Sequence, residues 1–277
     1  ECFGGVHRQE KIEWLRKWML LHDVDRVFIS SLDEIAWLLN VRGADIDYNP
    51  LVISYLLVSQ DFVKWFVKKE SSLNDAETDD SFSELLADGV LIEAYDDVQY
   101  GLKDFTGENS AVSIFADPST LNMNVYNCIK ETYPEDCIKL GVSPIILEKA
   151  VKVPSEIEHL RQTFIDDGVA MECFLHWLET EVAAGREVTE WEASEKLTEF
   201  RSQVPGYRGN SFENISAYGP SGALPHYSTP REGSAVIRPY GLYLVDSGGQ
   251  YLTGTTDITR TVPMGECTEL EKEDYTL

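Results

Sequence analysis

Basic residues are scarce in this 277-residue chain: 23 Lys and Arg stand against 48 Asp and Glu, a net charge of −25. The deficit runs through both halves, with 13 basic against 27 acidic residues in 1–150 and 10 against 21 in 151–277. Nucleic-acid binding wants a basic face, so no nucleic-acid partner is expected. Otherwise the acidity bears mainly on solubility. Long apolar runs are missing too. The longest, around Leu51 to Val58, has the length of a strand, far short of the ~20 residues of a membrane span, and no membrane association is expected. Cysteine is sparse: Cys2, Cys128, Cys137, Cys173 and Cys267 are scattered, odd in number and without CxxC spacing. That suits a reducing compartment better than a disulfide framework. No signal peptide is legible. Asn214-Ile-Ser216 matches a glycosylation acceptor pattern, but such triplets are frequent by chance and this one is set aside.

What is present is an ordinary core content, 43% hydrophobic, in a chain longer than one typical domain. Two domains are expected, 1–150 and 151–277. In the first, Ile12, Leu15, Trp18 and Met19 have helical spacing within Lys11 to Leu21. Val24 to Ile29 reads as a strand, and Leu32 to Leu39 as a helix with Asp33 and Glu34 in its first turn. Leu51 to Val58 and Phe62 to Val67 read as neighbouring strands, and Asn74 to Asp97 as a solvated helix with its loops. The alternation of helices and strands continues through Ser113 to Phe115 and Ile145 to Leu147. The class is α/β (α+β).

Lys149-Ala-Val-Lys-Val-Pro154 reads as the crossing into the second domain. Ser155 with Glu158 fits a capping box that opens a long amphipathic helix, whose stripe is Ile157, Leu160, Phe164, Met171, Phe174, Leu178 and Val182. His159 and His176 on this helix show no ligand spacing and read as structural. Thr189 with Glu192 fits a second capping box, for a helix ending near Val204-Pro205-Gly206.

The chain is organised around Asp246 to Thr261. Leu242, Leu244 and Asp246 alternate with Tyr243, Val245 and Ser247 as in a strand. Gly248, Gly249 and Gly254 supply a flexible middle, and Thr255 to Val262 is a β-branched return arm. Folding this hairpin about its centre brings Asp246 roughly opposite Asp257, where side chains stand about 4.5–5.5 Å apart. Two carboxylates at about 5 Å repel by roughly 3 kcal/mol at an effective dielectric near 20. Arg260 is close in sequence, but its odd offset from Asp257 puts it on the other face. A divalent cation is the better partner. Ser221 with His226 and an aspartate suggests a serine hydrolase, but Ser221 lacks the G-x-S-x-G elbow and sits at a turn position after Pro220.

The string DSGGQYLTGTTDITRT (246–261) resembles the first metal-binding motif of the pita-bread metallopeptidases. In wording it is most similar to their cytosolic, manganese-dependent aminopeptidase P (Xaa-Pro aminopeptidase) branch. Prolidases and methionine aminopeptidases share the two aspartates but not the words around them. Ser211 to Tyr227 resembles the segment that carries a catalytic histidine, here His226 followed by Tyr227. It departs from that pattern at Pro225, where an aliphatic residue is more usual, and at Glu213, where proline is common. Ser31 to Gly43 with Asn49-Pro50 resembles the creatinase-like middle domain of three-domain aminopeptidase P. There, Arg42 is either a contact near the active-site mouth or a structural arginine beside a turn glycine, and the structural reading is preferred.

The resemblance implies a creatinase-like N-terminal α/β domain followed by the first half of a pita-bread fold. It makes Asp246 and Asp257 ligands of two divalent metal ions, manganese first and zinc second, and His226 the catalytic group at the scissile carbonyl. The implied substrates are peptides with proline at the second position, cleaved by a water that the paired metals activate. A cytoplasmic homodimer is implied for the full-length form. The alternatives are a prolidase-type dipeptidase and a non-catalytic pita-bread module that binds peptides or proteins. The chain opens on Glu1 and stops at Leu277, and both ends read as cut. The family's remaining histidine and two glutamate ligands belong to motifs past that point, so this polypeptide alone is expected to be inactive.

Overall fold

The computed structural model describes residues 5–68, 76–104 and 112–276. Its chain divides into two compact units, Glu1–Val153 and Pro154–Leu277. Cys2 and the stretch around Asn74 lie outside the described residues.

The first unit runs α1 (Arg8–Leu21), β1 (Arg26–Ile29), α2 (Leu32–Leu39), β2 (Ser54–Ser59), β3 (Val63–Val67), α3 (Ala76–Ala87), β4 (Val90–Ala94), α4 (Val98–Lys103), β5 (Ile114–Ala116), α5 (Met123–Thr132), β6 (Ile138–Leu140) and α6 (Pro144–Ala150). Its strands form one sheet in the order β4-β3-β2-β1-β5-β6. β2 runs antiparallel to both neighbours, while β3 and β4, β1 and β5, and β5 and β6 are parallel pairs. Both faces are covered, which is why the central strands read as continuous apolar runs rather than alternating ones. Val27, Ile29, Leu56, Val58, Trp65 and Val67 pack with α1 and α2 residues such as Leu15, Met19, Ile35 and Leu38. The intervening Phe28, Leu57 and Phe66 pack on the other side with Val98, Leu102, Val125 and Ile129.

The sequence reading of 32–39 holds to the residue. The expected alternation of helices and strands also continues through Ile145 to Leu147. These residues lie in α6, where the Ser143 side chain accepts from the Ile145 N–H and Pro144 takes the first turn. The C-terminal end of α2 draws three cations. Arg8 Nε donates to Leu39 O (2.9 Å), Lys11 Nζ to Trp37 O (2.8 Å) and Arg42 Nη1 to Ala36 O (3.0 Å). They bind carbonyls of its last turn, of which Ala36 O also accepts from the Val41 N–H (3.1 Å), and oppose the negative end of its dipole. Arg42 is thus engaged by backbone carbonyls, Val41 O included (2.8 Å).

The second unit runs α7 (Pro154–Ala183), β7 (Val188–Thr189), α8 (Glu190–Ser202), β8 (Tyr207–Asn210), β9 (Ile215–Tyr218), β10 (Val236–Ile237), β11 (Leu242–Ser247), β12 (Gly249–Tyr251), β13 (Gly254–Thr255), β14 (Ile258–Pro263) and α9 (Glu269–Thr276). Pro154 opens α7, so Ser155 stands inside the first turn and not at the cap position. Proline at the first helical position has no N–H to leave unpaired and a preset φ. Thr189 does cap α8, accepting from Glu192 N at 3.2 Å. The α7 stripe is buried at Met171, Phe174, Leu178 and Val182, against Ala193 and Leu197 of α8 and Tyr243 and Val245 of β11. Toward the start of α7 its members Ile157 and Phe164 are exposed. Strands β14-β11-β9 form one small sheet and β13-β12-β8 another. The glycosylation reading has no accessible target: Asn214 and Ser216 are buried, and the Asn214 amide donates to Ser194 O and Thr198 Oγ1.

Candidate metal centre

The hairpin forms, two residues out of the expected pairing register, with its turn one residue further along. β11 and β14 pair Asp246 with Thr259 and Ser247 with Ile258, while β12 and β13 pair Tyr251 with Gly254. The turn is therefore Leu252–Thr253, and Asp257 falls across from Gly248 instead of Asp246. Asp257 is two residues from Thr259, which places it diagonally across from Asp246 on the same face, where neighbours stand about 7–8 Å apart. Lengthening the separation from about 5 Å lowers the repulsion from roughly 3 to roughly 2 kcal/mol at the same dielectric. The pair is eased, not neutralised.

Gly248 carries the geometry here. A Cβ on it would lie 2.0 Å from Thr256 O and 2.2 Å from Ser211 Oγ. Ser211 Oγ donates to Thr256 O (2.9 Å), and the Ser211 N–H donates to Gly248 O (3.0 Å). Thr256, fully buried, exchanges bonds with Gly249: its N–H donates to Gly249 O, and its Oγ1 accepts from Gly249 N, both at 2.9 Å. A side chain at 248 would push this bracket apart. The glycine is needed for close approach, not for a turn.

Asp246 is half-buried on the β11 face opposite the core, and its Oδ1 accepts from Thr259 Oγ1 at 2.8 Å. Asp257 is exposed. Among the described residues, no hydrogen bond or ion pair engages Asp257 or the second oxygen of Asp246. Arg260, paired with Val245, is exposed and donates to Thr259 O (2.8 Å). Carboxylate oxygens are the ligands hard divalent cations take, and the pair suits that role. Among the described residues no group of three His, Cys, Asp or Glu side chains could hold a metal ion. The two aspartates thus fit as a share of a metal centre and do not make one by themselves.

His226 is exposed in the segment between β9 and β10, with φ +53°. A left-handed backbone is uncommon outside glycine, although histidine, like asparagine and aspartate, adopts it more readily than most residues. Pro225 and Glu213, the two departures from the expected wording, flank a defined local structure. Glu213 Oε1 accepts from Ser228 Oγ at 3.2 Å. Tyr227 donates its hydroxyl to Glu190 Oε2 at 2.9 Å, and burial pushes that phenol above its ordinary range, the Ser221 hydroxyl easing the shift and the Glu190 carboxylate adding to it. His159 is half-buried and His176 exposed on α7; neither shares a metal-binding group with the aspartates.

Sequence reasoning missed the charged layer under the hairpin. Arg201 of α8 grips Asp167 of α7 through Nε (2.7 Å) and Nη2 (3.2 Å), and Tyr251 of β12 donates to Asp167 Oδ1 at 2.5 Å. Both charged side chains are fully buried. An aspartate on the apolar side of a helix stripe, four residues before Met171, was the available sign.

Comparison with known proteins places these features. Residues 1–156 match the creatinase/prolidase N-terminal domain and residues 158–277 match metallopeptidase family M24. The chain is 38% identical to Xaa-Pro aminopeptidase 1 of Dictyostelium discoideum over 99% of its own length and 42% of that protein's. It is 37% identical to the Xaa-Pro aminopeptidase ApepP of Drosophila melanogaster, over 99% and 43%. It therefore spans less than half the length of these relatives. Among solved structures, the X-prolyl aminopeptidase of Caenorhabditis elegans, described as a cytosolic enzyme with a di-nuclear active site, superposes with a TM-score of 0.85 at 31% identity, over 96% of this chain and 43% of that one. A Xaa-Pro dipeptidase from Bacillus anthracis shares the fold, with a TM-score of 0.70 at 23% identity over 98% and 69%. The architecture is a creatinase-like α/β domain followed by pita-bread fold.

Proposed function

The chain belongs to the family of creatinase/prolidase N-terminal domains, with residues of metallopeptidase family M24 behind it, and from that premise we propose that it is part of a metal-dependent aminopeptidase. The substrates are peptides with proline at the second position, and the product is the released N-terminal residue. Residues 1–150 serve as the creatinase-like domain and 151–277 as the N-terminal half of the catalytic domain. The observation that carries this reading is the hairpin: two aspartates on one face, offset by two residue pairs, with no cation among the described residues engaging either.

In this reading Asp246 and Asp257 hold two divalent metal ions, manganese by preference and zinc as the alternative. Such ions, when bound, supply an activated water and polarise the scissile carbonyl. Thr259 fixes one oxygen of Asp246 and so sets which lone pairs the other presents. His226 donates a ring N–H toward the scissile carbonyl oxygen as charge develops there. The enzyme works in the cytoplasm as a homodimer, and the present chain, which holds two of the metal ligands, is inactive when expressed alone.

The experiment is a comparison of the full-length protein with this chain, each titrated with Mn2+ and assayed on Xaa-Pro-Yaa tripeptides and Xaa-Pro dipeptides. Metal-dependent release of Xaa from the tripeptides by the full-length protein alone supports the proposal. Activity on dipeptides only would replace it with the prolidase reading, and tight stoichiometric Mn2+ binding by the isolated chain would overturn the incomplete-site reading.

A further inference from the structure

Glu190 is a fully buried carboxylate at the start of α8, and both of its carboxylate oxygens and its N–H reach the segment around His226. Oε1 accepts from the Tyr218 N–H at 2.7 Å, where β9 ends. Oε2 accepts from the Tyr227 hydroxyl at 2.9 Å and from the Ala235 N–H at 3.1 Å. Its own N–H donates to Ala235 O (2.9 Å), and its carbonyl accepts from Ser216 Oγ (2.6 Å). One residue thus fastens both ends of the excursion from 218 to 235 and, through Tyr227, the residue beside its exposed histidine.

The arrangement is costly in isolation. A buried carboxylate needs several donors to offset desolvation, and removing one donor leaves the rest of the penalty in place. Fewer bonds would suffice to cap α8, whose cap Thr189 already provides. Four of these five bonds go to Tyr218, Tyr227 and Ala235, residues that lie between β9 and β10 or at their margin. His226 holds a left-handed φ of +53° next to Pro225, a conformation that persists only when the surroundings over-determine it. Tyr227, next in the chain, ties this stretch to Glu190.

We infer that Glu190 is the positioning residue for His226, acting through the Tyr227 hydroxyl and the Ala235 N–H. This rests on the reading of His226 as the catalytic group. Glu190 and Tyr227 themselves do not touch the substrate.

The test uses Tyr227→Phe, which removes one hydroxyl and keeps the ring, beside Glu190→Gln. In this chain, amide exchange of residues 218–235 is expected to accelerate at least tenfold in both variants, with α7 and β11 unchanged and the His226 ring resonances shifted. In the manganese-loaded full-length protein, Tyr227→Phe is expected to lower kcat about tenfold with KM and Mn2+ affinity unchanged, and to cause no further loss in a His226→Ala background. Unaltered exchange and His226 resonances in Tyr227→Phe would overturn the inference, as would an equal loss of kcat with and without His226. Should His226→Ala retain full kcat, the catalytic reading of His226 fails by itself, while exchange and resonances still decide whether Glu190 holds the segment.

Discussion

The underside and the outer face of the β11–β14 hairpin both carry aspartate. Below, Asp167 is fully buried, and Arg201 and Tyr251 between them engage both of its oxygens. Above, Asp246 has one threonine hydroxyl and Asp257 stands exposed without an ion pair among the described residues. The difference is one of what each charge is for. A buried carboxylate survives only with its partners in place, so the lower layer belongs to folding. The upper pair adds repulsion and gives the fold little in return, in keeping with the metal-ligand role proposed for it.

The widest separation between the two faces comes from removing Arg201. Arg201→Ala leaves Asp167 buried without its cation, and the second unit is expected to lose about 3–5 kcal/mol in urea denaturation. Replacing the whole layer with apolar side chains, Asp167→Leu with Arg201→Met and Tyr251→Phe, recovers most of that loss, because no charge is then left unpaired. If the triple variant is no more stable than Arg201→Ala, the lower layer is not the self-contained group described.

Gly248→Ala comes next. Its Cβ, 2.0 Å from Thr256 O, forces the Ser211–Thr256 bracket open, with an expected loss of about 1–3 kcal/mol. Because the same bracket sets the register of Asp257, Mn2+ binding by the full-length protein should fall with it. A variant of unchanged stability and metal affinity would show that the register has another source.

On the outer face the expected stability effects are smaller and reversed in sign. Asp246→Ala and Asp257→Ala each remove half of a repelling pair, so the metal-free melting temperature holds or rises slightly. The increase on adding Mn2+ to the full-length protein disappears in each variant. A large drop in the metal-free melting temperature would move these aspartates into the same class as Asp167.

The contrast also explains what was legible. Leu32–Leu39 was readable because first-turn acids and an apolar periodicity agree. The hairpin was legible as a hairpin, yet its turn was displaced by one residue. Gly248 and Gly249 looked like the flexible part, whereas the reversal is made by Leu252 and Thr253, which have no turn chemistry of their own. Gly248 is there because Ser211 and Thr256 approach it. Ile145 to Leu147 is too short an apolar run for periodicity to choose between strand and helix, and the Ser143-Pro144 start signal decides it. Asp246 and Asp257 stood out through local wording. Glu190 could not, since its partners Tyr218, Tyr227 and Ala235 lie 28 to 45 residues away.

Glu34 of the first unit falls between the two kinds of aspartate and gives the smallest effect. It is buried, and Ser143 Oγ donates to its Oε2 at 2.5 Å. Burial pushes its carboxyl above the ordinary value of 4.5; the Ser143 hydroxyl works against that shift and the neighbouring Asp33 charge adds to it. Between the ordinary and the raised value the native state holds a proton that the unfolded chain has released. Stability therefore falls as pH rises above about 4.5 and stays lower once Glu34 is ionised. Glu34→Gln keeps an acceptor for Ser143 and carries no charge. It is expected to flatten that part of the pH profile and to be slightly more stable than the parent at pH 7. Denaturant midpoints across pH 4–7 check it, and a midpoint that falls in Glu34→Gln as steeply as in the parent would assign the slope to another carboxylate.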